Sequence, residues 1–184
     1  MALPKDIEKI KKQATVFVIF GATGNLAQKK LFPSMFALDK SDLLPEKLKI
    51  IATSRTSHST QKFQDLTRES VAPNDAKKWQ NFSQKIEFIP SDVSENKNLD
   101  KITTRLTEIE KEAASCIKVI LYLAIAPTIY EDAFKNIGKH GYYKFHHKEN
   151  GSEGSKENNS RIRKRTCNLS FLLDFFRKET GEFR

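Results

Sequence analysis

The sequence predicts an α/β fold built on a doubly wound parallel sheet. Three observations point there. Short runs rich in β-branched and aromatic residues alternate with segments of helical periodicity as far as about residue 143. The first run stops abruptly at a small-residue turn that opens directly into a helix. The fourth run is apolar at both parities, as in a strand covered on both faces.

Val16, Phe17, Val18, Ile19 and Phe20 form the first strand, and Gly21-Ala22-Thr23-Gly24 ends it. A helical segment follows from Leu26 to about Leu38. The second strand is Leu48 to Thr53. Ser57 or Ser59 is placed to cap the next helix, which carries Phe63, Leu66 and Val71. Pro73-Asn74-Asp75 starts a short helix holding Trp79 and Phe82. Lys85 to Ile89 is the third strand, closed by Pro90. Leu99, Ile102, Leu106 and Ile109 line one face of a longer helix. The fourth strand is Lys118 to Ala124, and Pro127 to His140 is the last helix, with proline in its first turn.

The domain organisation expected is an N-terminal extension over 1–14, a dinucleotide-binding domain over 15–145, and a basic low-complexity tail over 146–184. In the tail, HHKENGSEGSKENNS lacks aliphatic side chains and reads as a disordered linker. The apolar patch from Leu169 to Phe176 is too short to build a second core.

No apolar run approaches the ~20 residues that span a bilayer, and MALPKDIEKIKKQ lacks an apolar signal core. A cytoplasmic location, without membrane partners, is the expectation. Cys116 and Cys167 are far apart and form no CxxC pair, so no disulfide framework is expected. Cys116 reads as a packed thiol at the core's edge. No histidine pairing has metal-ligand spacing; His146 and His147 would face opposite ways on a strand. No metal is assigned. The net charge of +9 could attract nucleic acid, but most lysines are dispersed as on a solvated face, so charge alone does not choose the partner, and nucleic acid is the less expected one on the motifs below. A phosphorylated metabolite or dinucleotide suits the same charge.

The chemistry lies in the turns after the strands. In VFVIFGATGNLAQKK, Gly21 permits a sharp turn and Gly24 allows an anion close to the backbone. The following helix directs N–H groups and its positive end toward a phosphate. A bare GxxG also fits an ordinary strand-to-helix connection; the order of elements favours a nucleotide site. After the second strand come Ser54-Arg55-Thr56, with no acid between residues 47 and 64. A carboxylate there would bind an NAD ribose, whereas an arginine between two hydroxyls suits a 2′-phosphate and hence NADP. A solvated loop arginine is the alternative. Asp92, after the third strand, either accepts from an adenine amino group or serves a turn. Ala124 to Pro127 either let a nicotinamide lie against the backbone or form a plain strand-to-helix turn. One of Lys29 and Lys30 reaches the mouth of the site, or both are solvated helix lysines.

These residues carry a family resemblance. GATGNLAQKKLFPSMFAL, at 21–38, resembles the nucleotide fingerprint GAxGDLAxxKxxPxLxxL of glucose-6-phosphate dehydrogenase. ATSRT at 52–56 is similar to that family's arginine motif, and LYLAIAPTIYEDAFKNI at 121–137 to its fourth strand and following helix. The matches fall in order over about residues 14 to 143. The resemblance implies a Rossmann-like coenzyme domain in which Gly21, Ala22, Thr23, Gly24 and Leu26 form the NADP turn. It implies that Arg55 holds the 2′-phosphate and that Lys30, not Lys29, contacts glucose 6-phosphate; Ala124 and Pro127 are counted with the coenzyme residues on the small-residue reading above. Asn25 stands where the family has aspartate and could still cap or brace the turn.

Beyond about Tyr143 the family pattern is lost. KENGSEG stands where EKPFG is expected, and LLDFFRKETGEFR is the nearest match to RIDHYLGKE. Phe175 then occupies the place of the family's histidine, so no catalytic residue is assigned. The expectation is a coenzyme domain without the family's second α+β domain or its homo-oligomer interface, from a truncated or frameshifted reading frame. Such a fragment would catalyse little or no oxidation of glucose 6-phosphate to 6-phosphogluconolactone, the family's step in the pentose phosphate pathway. A stand-alone, non-catalytic NADP-binding module is the alternative. A nucleic-acid-binding protein using the basic tail is a third and weaker reading.

Overall fold

The computed structural model describes residues 11–142. The expectations for the tail, including Cys167, His146, His147 and Phe175, lie outside the described residues, as do residues 1–10.

Four parallel strands form one sheet: β1 (Thr15–Phe20), β2 (Leu48–Thr53), β3 (Ile86–Phe88) and β4 (Lys118–Leu123), in the order β3-β2-β1-β4. The winding reverses between β1 and β4, the place where open α/β sheets bind ligands at the carboxyl ends of their strands. The register aligns Phe20 with Thr53 on one side and with Leu123 on the other. The three strand ends therefore stop level with one another.

Each face of the sheet has its own core. Helices α1 (Phe32–Lys40), α2 (Thr60–Val71) and α3 (Ala76–Ser83) cover one face. There Phe32, Phe36, Phe63, Trp79 and Phe82 pack on Ile19, Ile50 and Phe88. Edge-to-face and stacked ring pairs order this layer, among them Phe32 with Phe63 and Phe63 with Phe88. Helices α4 (Leu99–Ala113) and α5 (Tyr130–Lys139) cover the other face. Leu99, Ile102, Leu106 and Ile109 are buried against Val16, Val18 and Phe20, as their spacing requires. The sheet is thus wound on both faces.

Local chemistry sets the element ends. Ser59, not Ser57, caps α2 by accepting from the Lys62 N–H, and Asp75 caps α3 by accepting from the Lys78 N–H. Two features depart from the sequence expectation. The first helix is not uniform: Ala27–Leu31 form a π-helical turn before α1, with the Phe32 N–H bonded to the Ala27 carbonyl. Strand β4, apolar at both parities, is only half-buried from Val119 to Leu123 and has one strand neighbour among the described residues. Pro127–Ile129 form a 3-10 turn ahead of α5. Cys116 is partly buried beside the fully buried Ile117, a core-edge position.

Candidate functional site

The site is built at the carboxyl end of β1. Gly21 has φ +79°, a conformation costly for any residue with a Cβ. A Cβ there would also lie 2.3 Å from the Ala124 carbonyl oxygen. The close approach follows from the β1–β4 register, continued by the Ala124 N–H donating to the Phe20 carbonyl at 2.8 Å. Glycine is therefore required by the backbone and by the neighbouring strand together.

The turn is held by its own amides. The Gly21 and Ala22 N–H groups both donate to the Thr53 carbonyl, at 2.9 and 3.0 Å. The Gly24 N–H donates to the Gly21 carbonyl at 2.9 Å, and the Gln28 N–H to the Gly24 carbonyl at 2.9 Å. A Cβ on Gly24 would lie 3.1 Å from the Gly21 oxygen, a tight but less severe contact. The first helical amides beyond Gly24 have no carbonyl one turn earlier to bond, which leaves donors at the helix start. Leu26, at that start, is 43% exposed. Asn25 supplies no side-chain cap, and its side chain has no hydrogen-bond partner among the described residues.

The end of β2 contributes Ser54-Arg55-Thr56. Arg55 is exposed and free of side-chain hydrogen bonds among the described residues. The two flanking hydroxyls are not equivalent. Ser54 is buried and its hydroxyl donates to the Thr56 carbonyl at 3.2 Å, so its proton is spent within the loop, while Thr56 is exposed. The Thr53 and Ser91 hydroxyls form a short hydrogen bond that joins the ends of β2 and β3. The Ser91 N–H donates to the Ser54 carbonyl at 3.1 Å.

Asp92 serves the turn after β3. Its Oδ1 accepts from the Ser94 N–H at 2.9 Å, the Ser94 hydroxyl at 2.6 Å and the Glu95 N–H at 3.3 Å. Burial acts to raise its pKa, but these donors and the Arg55 charge outweigh that and hold it below the usual carboxylate value. The turn role is thus directly visible, and an ionised carboxylate sits near Arg55.

Ala124 is half-buried against Gly21, and Pro127 is exposed at the start of the 3-10 turn. Lys29 and Lys30 are both exposed in the π turn. Two surface hollows lie elsewhere, one between α1 and the α2–α3 connection and one between α2 and α3. Neither is lined by the turn.

Sequence reading missed Gln28. Its amide Nε2 donates to the Ala22 carbonyl at 2.7 Å from a buried position. The available signal was a polar residue on the stripe of Phe32, Met35 and Phe36.

Residues 18–152 match the family model of the glucose-6-phosphate dehydrogenase NAD binding domain. The chain belongs to that family. A glucose-6-phosphate 1-dehydrogenase of Treponema pallidum is 30% identical over 131 residues, 68% of this chain and 25% of the relative. One of Ceratitis capitata is 29% identical over 123 residues, 66% of this chain and 23% of the relative. The chain thus spans about a quarter of the length of these glucose-6-phosphate dehydrogenases. A solved glucose-6-phosphate dehydrogenase in complex with its substrate glucose-6-phosphate superposes with a TM-score of 0.67. That match has 24% identity and covers 72% of this chain and 28% of the other. The agreement is one of fold: the parallel sheet with helices on both faces. No described helix is long and apolar enough to cross a membrane.

Proposed function

We propose that this chain is the NADP-binding part of a glucose-6-phosphate dehydrogenase. The observation that carries the reading is the pairing of the Gly21 turn with an exposed arginine, and no acid, after the adjacent strand. In this reading the Thr23 amide takes the pyrophosphate, with the amides of Asn25 and Leu26 at the helix start, unbonded among the described residues. Arg55 takes the 2′-phosphate, for which a guanidinium offers a charged fork of donors. Ala124 and Pro127 present little side chain where the nicotinamide half would pass. Lys30 is assigned to the phosphate of glucose 6-phosphate, as a long cationic side chain within two turns of the glycines.

Bound NADP would supply the acceptor for the hydride leaving C1 of the sugar. The protein's own task is to orient the two and to remove the hydroxyl proton. Phe175, at the position of the family's histidine, has no atom that can accept a proton. The 184-residue chain assayed alone is therefore expected to bind NADP without measurable NADPH production.

Calorimetric titration with NADP and NAD tests the reading. The wild-type chain should prefer NADP, and Arg55→Ala should weaken NADP about 10- to 100-fold, the effect of one charge-assisted contact. NAD affinity should stay unchanged. Equal affinity for both coenzymes, or equal losses in the variant, would refute the assignment of Arg55.

A further inference from the structure

Of the N–H groups in the turn from Gly21 to Gly24, three are committed. Gly21 and Ala22 donate to the Thr53 carbonyl and Gly24 to the Gly21 carbonyl. The Thr23 N–H alone has no partner among the described residues. Its direction is set by the peptide it shares with the Ala22 carbonyl. In a trans peptide, the carbonyl and the following N–H point opposite ways. Whatever holds the Ala22 oxygen inward therefore holds the Thr23 N–H outward.

Gln28 holds it. Gln28 is only 6% exposed, and its Nε2 donates to the Ala22 oxygen at 2.7 Å. The same Nε2 lies 3.4 Å from the Thr67 hydroxyl. Thr67 is fully buried on α2, and its hydroxyl donates to the Phe63 carbonyl at 2.9 Å. A buried chain of hydrogen bonds thus runs from the backbone of α2 to the turn.

The orientation of the amide follows from its partner. A carbonyl requires a donor, so Nε2 must face Ala22. Oε1 is then left buried with no partner among the described residues. An aliphatic side chain would fill this space without an unpaired oxygen. What the amide adds is the donor.

We propose that Gln28 is a positioning residue of the coenzyme site. It fixes the Ala22–Thr23 peptide plane so that the Thr23 N–H is presented to the pyrophosphate. This rests on the coenzyme reading of the turn given above. Gln28 does not touch the ligand; it acts through the backbone.

The test compares two ligands on the full 184-residue chain. NADP contains the pyrophosphate, whereas adenosine 2′-monophosphate carries only the part assigned to Arg55. Gln28→Met keeps the length of the side chain and removes the donor. It should weaken NADP about tenfold, as expected for one lost N–H to an anion, and leave the monophosphate within about twofold. A thermal melt confirms that the variant is folded. Unchanged NADP affinity in a folded variant, or equal losses for both ligands, would overturn the proposal. If Gln28→Met does not fold, amide NMR of the wild-type chain decides. NADP should then shift the Thr23 N–H further than those of Gly21 and Ala22, and an unmoved Thr23 resonance overturns the proposal. A wild-type chain that binds neither ligand overturns the coenzyme reading first, and this one with it.

Discussion

Replacing Gly21 with alanine should damage the fold as well as the site. The added Cβ would lie 2.3 Å from the Ala124 oxygen, 2.9 Å from the Ala124 carbonyl carbon and 3.0 Å from Ile125 Cγ2. Two of these atoms are backbone. They cannot retreat without pulling on the Ala124 N–H bond to Phe20, which extends the β1–β4 ladder. The φ of +79° adds a penalty of about 1–2 kcal/mol for any L-residue with a Cβ. Forcing the strand end aside costs about another 1–3 kcal/mol, the usual range for overpacking. The total, roughly 3 kcal/mol, is a large share of the ~5–15 kcal/mol that stabilises a typical domain. At roughly 3–5 °C per kcal/mol, the melting temperature should fall by about 10 °C or more. Two other glycines serve as controls in the same calorimetric or circular-dichroism melt. Gly24→Ala has its nearest atom at 3.1 Å and should lose only about 1 kcal/mol. Gly138→Ala lies in α5 with nothing within 4 Å of the new Cβ, so it should gain about 0.5–1 kcal/mol from helix propensity. A Gly21→Ala protein melting within about 2 °C of the wild type would refute the close approach of β4 to the turn.

Further outcomes follow from the charges and the strand edge. Burial pushes the Tyr142 phenol up to about 12, with the neighbouring Thr103 hydroxyl opposing this and the Asp100 charge adding to it. The stability it contributes is full below the unfolded value near 10 and is lost as pH rises through about 12. Alkaline unfolding should therefore steepen over that interval, and Tyr142→Phe, which removes the bond to the Leu99 carbonyl, should flatten it. Asp92 has a depressed pKa, so its contribution is present above the unfolded value near 4 and disappears on acidification below it. Asp92→Asn should lower stability at neutral pH while changing it little under strongly acidic conditions, as checked by urea titration at both. Strand β4, half-buried and with one strand neighbour among the described residues, should promote concentration-dependent association, measurable by sedimentation velocity. Ile120 belongs to neither packed cluster, so Ile120→Lys should suppress association without lowering the melting temperature by more than a few degrees.

Much of the architecture was legible in the chain because its signals are local. The β-rich run of β1, the helical spacing of Leu99, Ile102, Leu106 and Ile109, and the helix starts near Ser57 or Ser59 and at Asp75 act through neighbours a few positions away, the structure choosing Ser59 for the cap. The candidate turn, the arginine after β2 and the lack of an acid there could also be read off directly. The π turn could not, because helical periodicity does not mark where one residue is inserted into the hydrogen-bond ladder. Asp92 could be read two ways until the Ser94 and Glu95 donors placed it in a turn.

By itself, then, the order of residues determined the α/β class, the family and the position of the glycine turn, since each is written in contiguous propensities and motifs. Tertiary structure decided why Gly21 must be glycine, which of the turn's amides are spent, and what braces it. Those answers depend on Ala124, Thr53 and Thr67, residues distant in the chain that meet at the turn only after the parallel crossovers are made. It also left β4 half-covered, because burial depends on neighbours in space and an apolar run does not name them.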